Sequence, residues 1–249
     1  MALARLKLGK LEVDPVTFAG ALDAVERLVT AGEGGCVYTP NVDHVVNAES
    51  NAAFREAYAH ASLSLADGMP LVWASRLLSP RLPERVTGSD LIVPLLERAG
   101  RRGWRVFFLG AGPGVAEKAA QDVRARFGTD VVGCWAPEVD LGDERTIDEV
   151  VARVNAAAPQ LVLLALGSPK QELLADRIAA RVRPAVVLGI GAGLDFIAGT
   201  VKRAPAFFRE HGLEWLYRLT REPGRLWRRY LVNDPKFALI LVRTLLARR

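Results

Sequence analysis

Six short, almost uninterrupted apolar runs are spaced along the chain before residue 202, and they constrain the fold more than any other feature. Continuously apolar strands are typical of a sheet that is buried on both faces, and such sheets are mostly parallel. The runs therefore predict an α/β fold with a mostly parallel, Rossmann-like sheet. They are CVYT (36–39), LSLA (63–66), RVFFLG (105–110), DVVGCW (130–135), LVLLALG (161–167) and AVVLGIG (185–191).

Amphipathic segments separate the apolar runs and supply the helices that cover both faces of such a sheet. Each segment repeats apolar residues at the three- and four-residue spacing of one helix face. We expect N-terminal caps at Asn47, Ser89 and Asp143, because their side-chain oxygens can accept the free amides of a first turn. The predicted helices are 15–32, 47–61, 89–103, 114–128, 143–158 and 170–182.

The composition limits the class of protein. Half of the 249 residues are hydrophobic, and Cys36 and Cys134 are the only cysteines. Two cysteines cannot build a disulfide framework or a zinc-finger spacing, so a reducing cytoplasm is the natural compartment. No apolar run reaches the roughly 20 residues that span a bilayer, and the first residues lack the apolar core of a signal peptide. We therefore expect a cytoplasmic protein.

The charge is distributed unevenly along the chain. From Lys202 to the end there are 12 Lys and Arg against 4 Asp and Glu, together with seven of the 18 aromatic residues. Basic and aromatic residues in one amphipathic segment are typical of a surface that meets anionic lipid or nucleic acid. Because the preceding residues add no basic face, we favour an anionic membrane and expect no nucleic-acid partner. An ordinary C-terminal helix docked on the body is the alternative.

These patterns divide the chain into three predicted segments. Residues 1–100 form an N-terminal α/β half, and residues 101–201, which carry the glycine-rich segment GAGPG, form a nucleotide-binding α/β half. Residues 202–249 form a helical, basic, amphipathic appendage that faces the membrane.

Polar and glycine-rich residues follow each apolar run. Ligands of parallel sheets bind beyond the carboxyl ends of the strands, so we expect the site at this edge. Asp67 directly follows the second run, where partial desolvation suits a carboxylate for proton abstraction. We predict that Asp67 is a general base, and a buried, turn-capping aspartate is the alternative. The segments after the runs are TPN (39–41), DG (67–68), GAGPG (110–114), APEVD (136–140), GSPKQE (167–172) and GAGLD (191–195).

Gly110, Gly112 and Gly114 form a loop between a predicted strand and a predicted helix. Glycines let the backbone approach a phosphate, and the helix N-terminus adds amide donors. The loop departs from G-x-G-x-x-G because position 115 is valine, and the run DVVGCW lacks the acid that would hold a ribose. We predict a nucleotide-diphosphate loop rather than a dinucleotide site, with a tight turn that binds nothing as the alternative.

Three further residues are candidates for binding a phosphorylated ligand. Lys170 and Gln171 open a predicted helix after the fifth run, where Lys170 can meet a phosphate and Gln171 a sugar or base. Arg85 precedes another predicted helix, and a guanidinium suits bidentate binding of phosphate. A solvated Lys170, and an ion pair of Arg85 with Glu84 or Asp90, are the alternatives.

The histidines give no sign of a metal site. His44, His60 and His211 have no metal-ligand spacing, and the chain has no D-x-D motif. We therefore predict metal-independent chemistry and no cofactor. His44 lies just after TPN and is a candidate neighbour of the site, whereas we expect His60 to be structural.

Seven motifs in a fixed order resemble the bacterial WecG/TagA/CpsF glycosyltransferases over about residues 8–235. The resemblance implies an inverting, metal-independent transfer of a sugar from a UDP-sugar to an undecaprenyl-diphosphate-linked sugar. It also implies a peripheral position on the cytoplasmic face of the cell membrane, and a role in making cell-surface polysaccharide or teichoic acid. The motifs are TPN, ADG, ERVTGSD, FFLGAGPGV, LGSPKQE, GAGLDFIAGTVKRAP and GLEWLYRLTREPGRLWRRY.

The resemblance also implies roles for individual residues. Residues 1–100 would form the side of the site with the acceptor and the base. Asp67 would deprotonate the acceptor hydroxyl, with Thr39 and Asn41 in the same pocket. Gln171 would contact the sugar or the nucleotide, and Arg85 would help to bind the diphosphate.

The appendage has an implied role of its own. Its arginines would close over the leaving UDP and neutralise its developing charge, in place of a metal ion. These arginines are Arg218, Arg225 and Arg228. The segment GAGLD departs from the family pattern, so Asp195 is a weaker candidate for a site residue.

Two other functions remain open at this point. A nucleotide-cofactor oxidoreductase would use the GAGPG loop, but the missing ribose acid argues against it. A non-catalytic membrane or RNA adaptor would have no use for polar groups that converge at one edge of the sheet. The sequence does not select the donor sugar, for which N-acetylmannosamine and related sugars all qualify, or decide whether the protein is a homo-oligomer.

Overall fold

A computed structural model describes residues 4–205, 207–208, 214–221 and 223–247, and within these ranges it leaves out the side chains of Glu214, Arg218 and Arg225. Its centre is a six-stranded sheet in which all the paired strands are parallel. The strands are β3 (Gly35–Tyr38), β4 (Leu63–Ser64), β5 (Arg105–Gly110), β6 (Asp130–Trp135), β7 (Leu161–Ala165) and β8 (Val186–Gly189). Their order across the sheet is β4-β3-β8-β7-β5-β6. The predicted parallel α/β fold is confirmed.

Helices cover both faces of the sheet, as predicted. Phe107 and Leu109 of β5 pack into the core on one face, and Val106 and Phe108 pack into the core on the other. This alternation is the period of two that a buried strand imposes. The helices of the described body are α1 (Phe18–Ala31), α2 (Val42–Ser50), α3 (Ala52–Ala59), α4 (Met69–Ser75), α5 (Gly88–Arg102), α6 (Val115–Phe127), α7 (Glu144–Ala157), α8 (Lys170–Ala179) and α9 (Gly193–Ala198).

Two of the three predicted helix caps are wrong. Asn47 lies inside α2, because the extended backbone of Asn51 divides the predicted helix 47–61 in two. Asn41 caps α2 and Asn51 caps α3, each by accepting a backbone amide. Helix α5 is capped by Thr87, whose hydroxyl accepts the amide of Asp90 at 3.0 Å, rather than by Ser89. The cap of α7 at Asp143 is confirmed.

A short antiparallel hairpin, β1 (Leu6–Leu8) and β2 (Leu11–Val13), precedes the sheet and was not predicted. Its strands alternate buried and exposed residues over only three positions, which is too short for a clear period.

The C-terminal appendage is helical, as predicted. Its described helices are α10 (Glu214–Arg221), α11 (Pro223–Arg228), which continues into a π-helical turn (Arg229–Asn233), and α12 (Lys236–Leu246). No helix in the described ranges has the length and apolar character that crossing a bilayer requires.

The last helix docks on the body with one face only. Phe237, Ile240 and Thr244 of α12 are buried, and the hydroxyl of Thr244 accepts the amide of Gly9 in the hairpin at 3.0 Å. The opposite face leaves three apolar side chains exposed, which we call the α12 apolar face: Leu239, Val242 and Leu246. Helix α12 therefore docks on the body, as one alternative predicted, and still presents the apolar surface that the other alternative requires.

Candidate active site

Asp67 lies at the carboxyl edge of the sheet, beyond β4. Its amide donates to the carbonyl of Pro40 at 2.8 Å, which keeps the chain extended beside the end of β3. Gly68 follows with φ of 144°, a conformation that favours glycine, and α4 begins at the next residue. The N-cap of α4 is Gly68, and its N-terminus has no side-chain cap. The role of Asp67 as a general base, with a turn-capping aspartate as the alternative, stays a prediction.

Two cavities meet at Asp67, and both open to the surface. We call the first, of about 160 Å³, the arginine cavity, because Arg85 and Arg229 line it. We call the second, of about 380 Å³, the sheet-edge cavity, because it is lined by the segments that follow β3, β7 and β8. The two cavities share Asn41, Asp67, Ser89, Arg229 and Tyr230. Together they form one cleft with the half-buried Asp67 in its wall.

Thr39 and Asn41 lie in the wall of this cleft, and their predicted part in binding substrate stays a prediction. Thr39 is buried and lines the sheet-edge cavity. Asn41 lines both cavities, and its Oδ1 accepts the amide of His44 at 3.3 Å and the guanidinium of Arg229 at 3.2 Å. Asn41 thereby joins the body to the appendage.

Arg85 lines the arginine cavity and also pairs with Asp90 at 3.1 Å, as its alternative reading proposed. Burial raises the pKa of Asp90, but hydrogen bonds from Arg203 and Thr87 and the charge of Arg85 outweigh this effect and leave the pKa below its usual range. Asp90 therefore stays charged near neutral pH, and it fixes Arg85 at the mouth of the cavity.

Gln171 is buried and lines the sheet-edge cavity, and its predicted contact with the sugar or the nucleotide stays a prediction. Its Oε1 accepts the amide of Gly191 at 3.1 Å, and its Nε2 donates to Glu172 at 2.8 Å. Burial raises the pKa of Glu172, and hydrogen bonds from Gln171 and Ser168 oppose the rise. Through its bond to Gly191, Gln171 also joins the loop after β7 to the loop after β8.

The glycine loop lies at the same edge of the sheet, but neither cavity is lined by its three glycines. Gly110 has φ of 99°, and a Cβ there would lie 2.7 Å from the carbonyl oxygen of Ala165. A Cβ on Gly112 would make only an ordinary contact, at 3.6 Å from Val115. Packing against β7 therefore explains Gly110, and the diphosphate role of Gly110, Gly112 and Gly114 stays a prediction.

Lys170 is exposed and borders a separate depression formed with residues 138–141. The solvated lysine of the alternative reading is compatible with this position, and its contact with a phosphate stays a prediction.

Arg229 is the appendage cation whose described side chain reaches the cleft, and the sequence did not select it. It bonds Asn41, and its Nε lies 3.5 Å from the carboxylate of Asp43. Arg228 is exposed and lines neither cavity, while the side chains of Arg218 and Arg225 lie outside the described part of the structure. Adjacent helical residues point about 100° apart, so only tertiary contacts decide which arginine of a pair faces inward.

His44 forms part of the buried wall of the sheet-edge cavity. Its Nδ1 lies 2.7 Å from the hydroxyl of Tyr58, and its ring packs edge-on against Phe54. Burial, with a smaller effect from the charge of Arg229, lowers the pKa of His44 to about 3, so the ring is neutral. The described residues include no group of three or more His, Cys, Asp or Glu placed to hold a metal ion.

A carboxylate, two arginines and neutral hydrogen-bonding side chains thus converge beyond the carboxyl ends of parallel strands. This arrangement is typical of an α/β enzyme whose ligand site lies at the edge where parallel sheets bind ligands.

The chain belongs to the WecG/TagA/CpsF family of glycosyl transferases, whose family model matches residues 6–249. It is also 34% identical over 212 residues to a Bacillus spizizenii protein, with 85% of this chain and 80% of the relative covered. That relative is named N-acetylglucosaminyldiphosphoundecaprenol N-acetyl-beta-D-mannosaminyltransferase. The resemblance seen in the seven motifs is confirmed, and the chain is a glycosyltransferase rather than an oxidoreductase or an adaptor.

Proposed function

We propose that this glycosyltransferase moves an N-acetylmannosamine-type sugar from a UDP-sugar to an undecaprenyl-diphosphate-linked sugar, in the synthesis of cell-surface polysaccharide or teichoic acid. The name of the Bacillus spizizenii relative supports the choice of sugar and acceptor. The observation that carries the proposal is that Asp67 lies where two cavities join. The donor can extend across both cavities, with its diphosphate in the arginine cavity and its sugar in the sheet-edge cavity, and the acceptor hydroxyl can then approach the Asp67 carboxylate where the two cavities join.

Asp67 acts as the general base in this proposal. Its carboxylate accepts the proton of the acceptor hydroxyl, and the hydroxyl oxygen attacks the anomeric carbon of the donor sugar. The bond from that carbon to the diphosphate oxygen breaks, and UDP leaves with the electron pair. Attack opposite the leaving group inverts the anomeric centre. A carboxylate and the arginines in one cleft suit this arrangement, because the base acts on the acceptor hydroxyl while the arginines bind the leaving group.

Arginines stabilise the leaving UDP in the same proposal. Arg85 and Arg229 line the arginine cavity, and guanidinium groups held beside the diphosphate stabilise the charge that develops on it. Arg218, Arg225 and Arg228 are on the adjoining helices α10 and α11, and they complete the cationic cover when substrate binds. These guanidinium groups supply the positive charge without a metal ion.

A peripheral position on the cytoplasmic face of the membrane completes the proposal. The α12 apolar face lies beside exposed basic side chains such as Arg243 and Lys236. Apolar insertion combined with attraction to anionic lipid is how an interfacial helix binds a bilayer. A lipid-linked acceptor would then reach the cleft without leaving the bilayer.

The direct test is transfer from a panel of UDP-sugars to a synthetic prenyl-diphosphate-linked N-acetylglucosamine, followed by UDP release and product mass. We expect one N-acetylmannosamine-type donor to be preferred, with full activity in EDTA. Nuclear magnetic resonance of the product should show the inverted anomer. A retained anomer would refute the mechanism, and the absence of transfer from every UDP-sugar would refute the proposed substrates.

A further inference from the structure

We infer that His44 is a sugar-binding residue, whose Nε2–H donates a hydrogen bond to an oxygen of the donor's sugar in the sheet-edge cavity. This inference rests on the proposed function and adds a residue that the family resemblance did not assign. It starts from a polar side chain that is almost wholly buried, with 4% of its surface exposed, and yet lines the cleft.

The partners of the ring decide which nitrogen is available. Nδ1 is held by the hydroxyl of Tyr58 at 2.7 Å, inside a cluster that also includes the ring of Phe54. Nε2 is therefore the polar atom that His44 can offer to a ligand in the cavity. The backbone also fixes the residue, because its amide is bonded to the helix cap Asn41.

The chemistry of the pair decides what Nε2 offers. Burial raises the pKa of Tyr58 well above its ordinary value, so the phenol keeps its proton. A phenol is a good donor and an unprotonated imidazole nitrogen is a good acceptor, so Tyr58 donates to Nδ1. A neutral imidazole that accepts at Nδ1 carries its proton on Nε2, and Nε2 is then a hydrogen-bond donor.

The surroundings favour a sugar over a diphosphate as the ligand of His44. Its neighbours in the sheet-edge cavity include the uncharged side chains of Thr39, Ser168 and Gln171. Arg229 lines both cavities, but Arg85 lines only the arginine cavity, so the two guanidinium groups come together there. A neutral donor among amides and hydroxyls suits a hydroxyl or acetamido oxygen. A phosphate would be better matched by the guanidinium groups.

Two substitutions of His44 separate its two nitrogens. In His44→Gln the side-chain amide can take the place of Nε2, and in His44→Asn it can take the place of Nδ1. We expect His44→Asn to raise the KM for the UDP-sugar about tenfold, the loss of one hydrogen bond, while His44→Gln stays within about threefold of wild type. Both variants should bind UDP alone as tightly as wild type, because UDP lacks the transferred sugar.

Equal activity of the two variants would overturn the inference, as would a parallel loss of UDP affinity in His44→Asn. Should either variant fail to fold by circular dichroism, Tyr58→Phe takes its place, because it removes one hydroxyl and fills the same space. Without the Tyr58 hydroxyl, the proton of the neutral His44 ring can lie on either nitrogen, so Nε2 is a donor only part of the time. We therefore expect the KM for the UDP-sugar to rise about threefold at unchanged UDP affinity. An unchanged KM would contradict the inference. A wild-type protein that transfers from no UDP-sugar but binds UDP would instead refute the proposed function.

Discussion

Arg229 donates a hydrogen bond of 3.2 Å to Oδ1 of Asn41, a residue 188 positions earlier in the chain. Asn41 caps the helix that begins beside the cleft, so this bond fixes the appendage against the body at the site itself. The appendage therefore supplies part of the wall of the cleft, in addition to any contact with lipid.

Replacing Arg229 tests whether that wall takes part in transfer. We expect Arg229→Gln to lower kcat about 10²-fold, because a cation is lost from a site where the leaving group gains charge. The matched control is Arg101→Gln, an exposed arginine of α5 paired with Glu97 at 2.6 Å, which should stay within about twofold of wild type. Steady-state kinetics with saturating donor measures both, and similar kcat values for the two variants would contradict the role of Arg229.

Asp67→Asn tests the general base. The amide keeps the shape of the carboxylate but cannot take a proton, so we expect kcat to fall by about 10²- to 10⁴-fold. UDP affinity should be unchanged by calorimetry, since the base acts on the acceptor. Asp176→Asn, at a carboxylate paired with the exposed His60, serves as the control and should keep wild-type turnover. Near-normal transfer by Asp67→Asn would exclude the assignment.

The glycine loop offers a pair of substitutions that separates packing from ligand binding. Gly110→Ala should destabilise the fold by about 2 kcal/mol, because the new methyl group meets the Ala165 carbonyl oxygen and φ is 99°. Gly112→Ala should change the unfolding free energy by less than about 0.5 kcal/mol. Urea denaturation measures both, and equal stabilities would be inconsistent with this packing. A fall in UDP affinity in Gly112→Ala alone would support the predicted diphosphate loop.

Asp234 should make stability depend on pH. Burial raises its pKa from 3.8 to about 6; the charge of Arg229 opposes the rise and that of Asp43 adds to it. A carboxyl whose pKa is higher when folded stabilises the fold fully below about pH 4, and this contribution is lost as the pH rises through 6.

Asp234→Asn removes that titration. We expect its unfolding free energy relative to wild type to rise by about 1 kcal/mol between pH 4.5 and 7.5, a value reduced for solvent screening of this half-buried group. Urea denaturation across this range provides the measurement. Asn233→Ala, a neighbouring change without a titrating group, should shift stability equally at every pH. A flat difference for Asp234→Asn would rule out the raised pKa.

The α12 apolar face should control binding to lipid. Replacing Leu239, Val242 and Leu246 together by serine should lower the binding constant for anionic vesicles about tenfold or more, because apolar insertion is lost. All three side chains are exposed, so the melting temperature should hold. Vesicles of neutral lipid provide the comparison, since the basic residues contribute only on anionic ones. Unchanged flotation with anionic vesicles would remove this face from the proposed membrane contact.

Much of the fold could be predicted because its signals are local. The apolar runs predicted both ends of β5 and β6 correctly. The amphipathic segments predicted α6 and α7 to within one residue at each end. Errors arose where competing local signals coexist: Asn47 and Asn51 both qualify as caps, and the backbone of Asn51 decides between them.

The candidate site was predicted in part for a related reason. Parallel strands bring their carboxyl ends to one edge, so Thr39, Asn41, Asp67 and Gln171 were placed together from sequence order alone, and the structure has them lining one cleft. Arg228 and Arg229 were not distinguishable in this way. The two residues are both arginines at adjacent positions, so the local sequence gives no reason to expect one rather than the other to face the cleft.

The sequence by itself therefore determined the parallel sheet, the edge that carries the polar residues and the family of the enzyme, since periodicity and motif order are properties of the chain. Only the tertiary structure decided that Arg229 enters the cleft, that Tyr58 occupies one nitrogen of His44, and that α12 buries one apolar face and exposes another. Each of these depends on a contact between segments distant in the chain, and no local pattern encodes the direction in which a side chain meets such a partner.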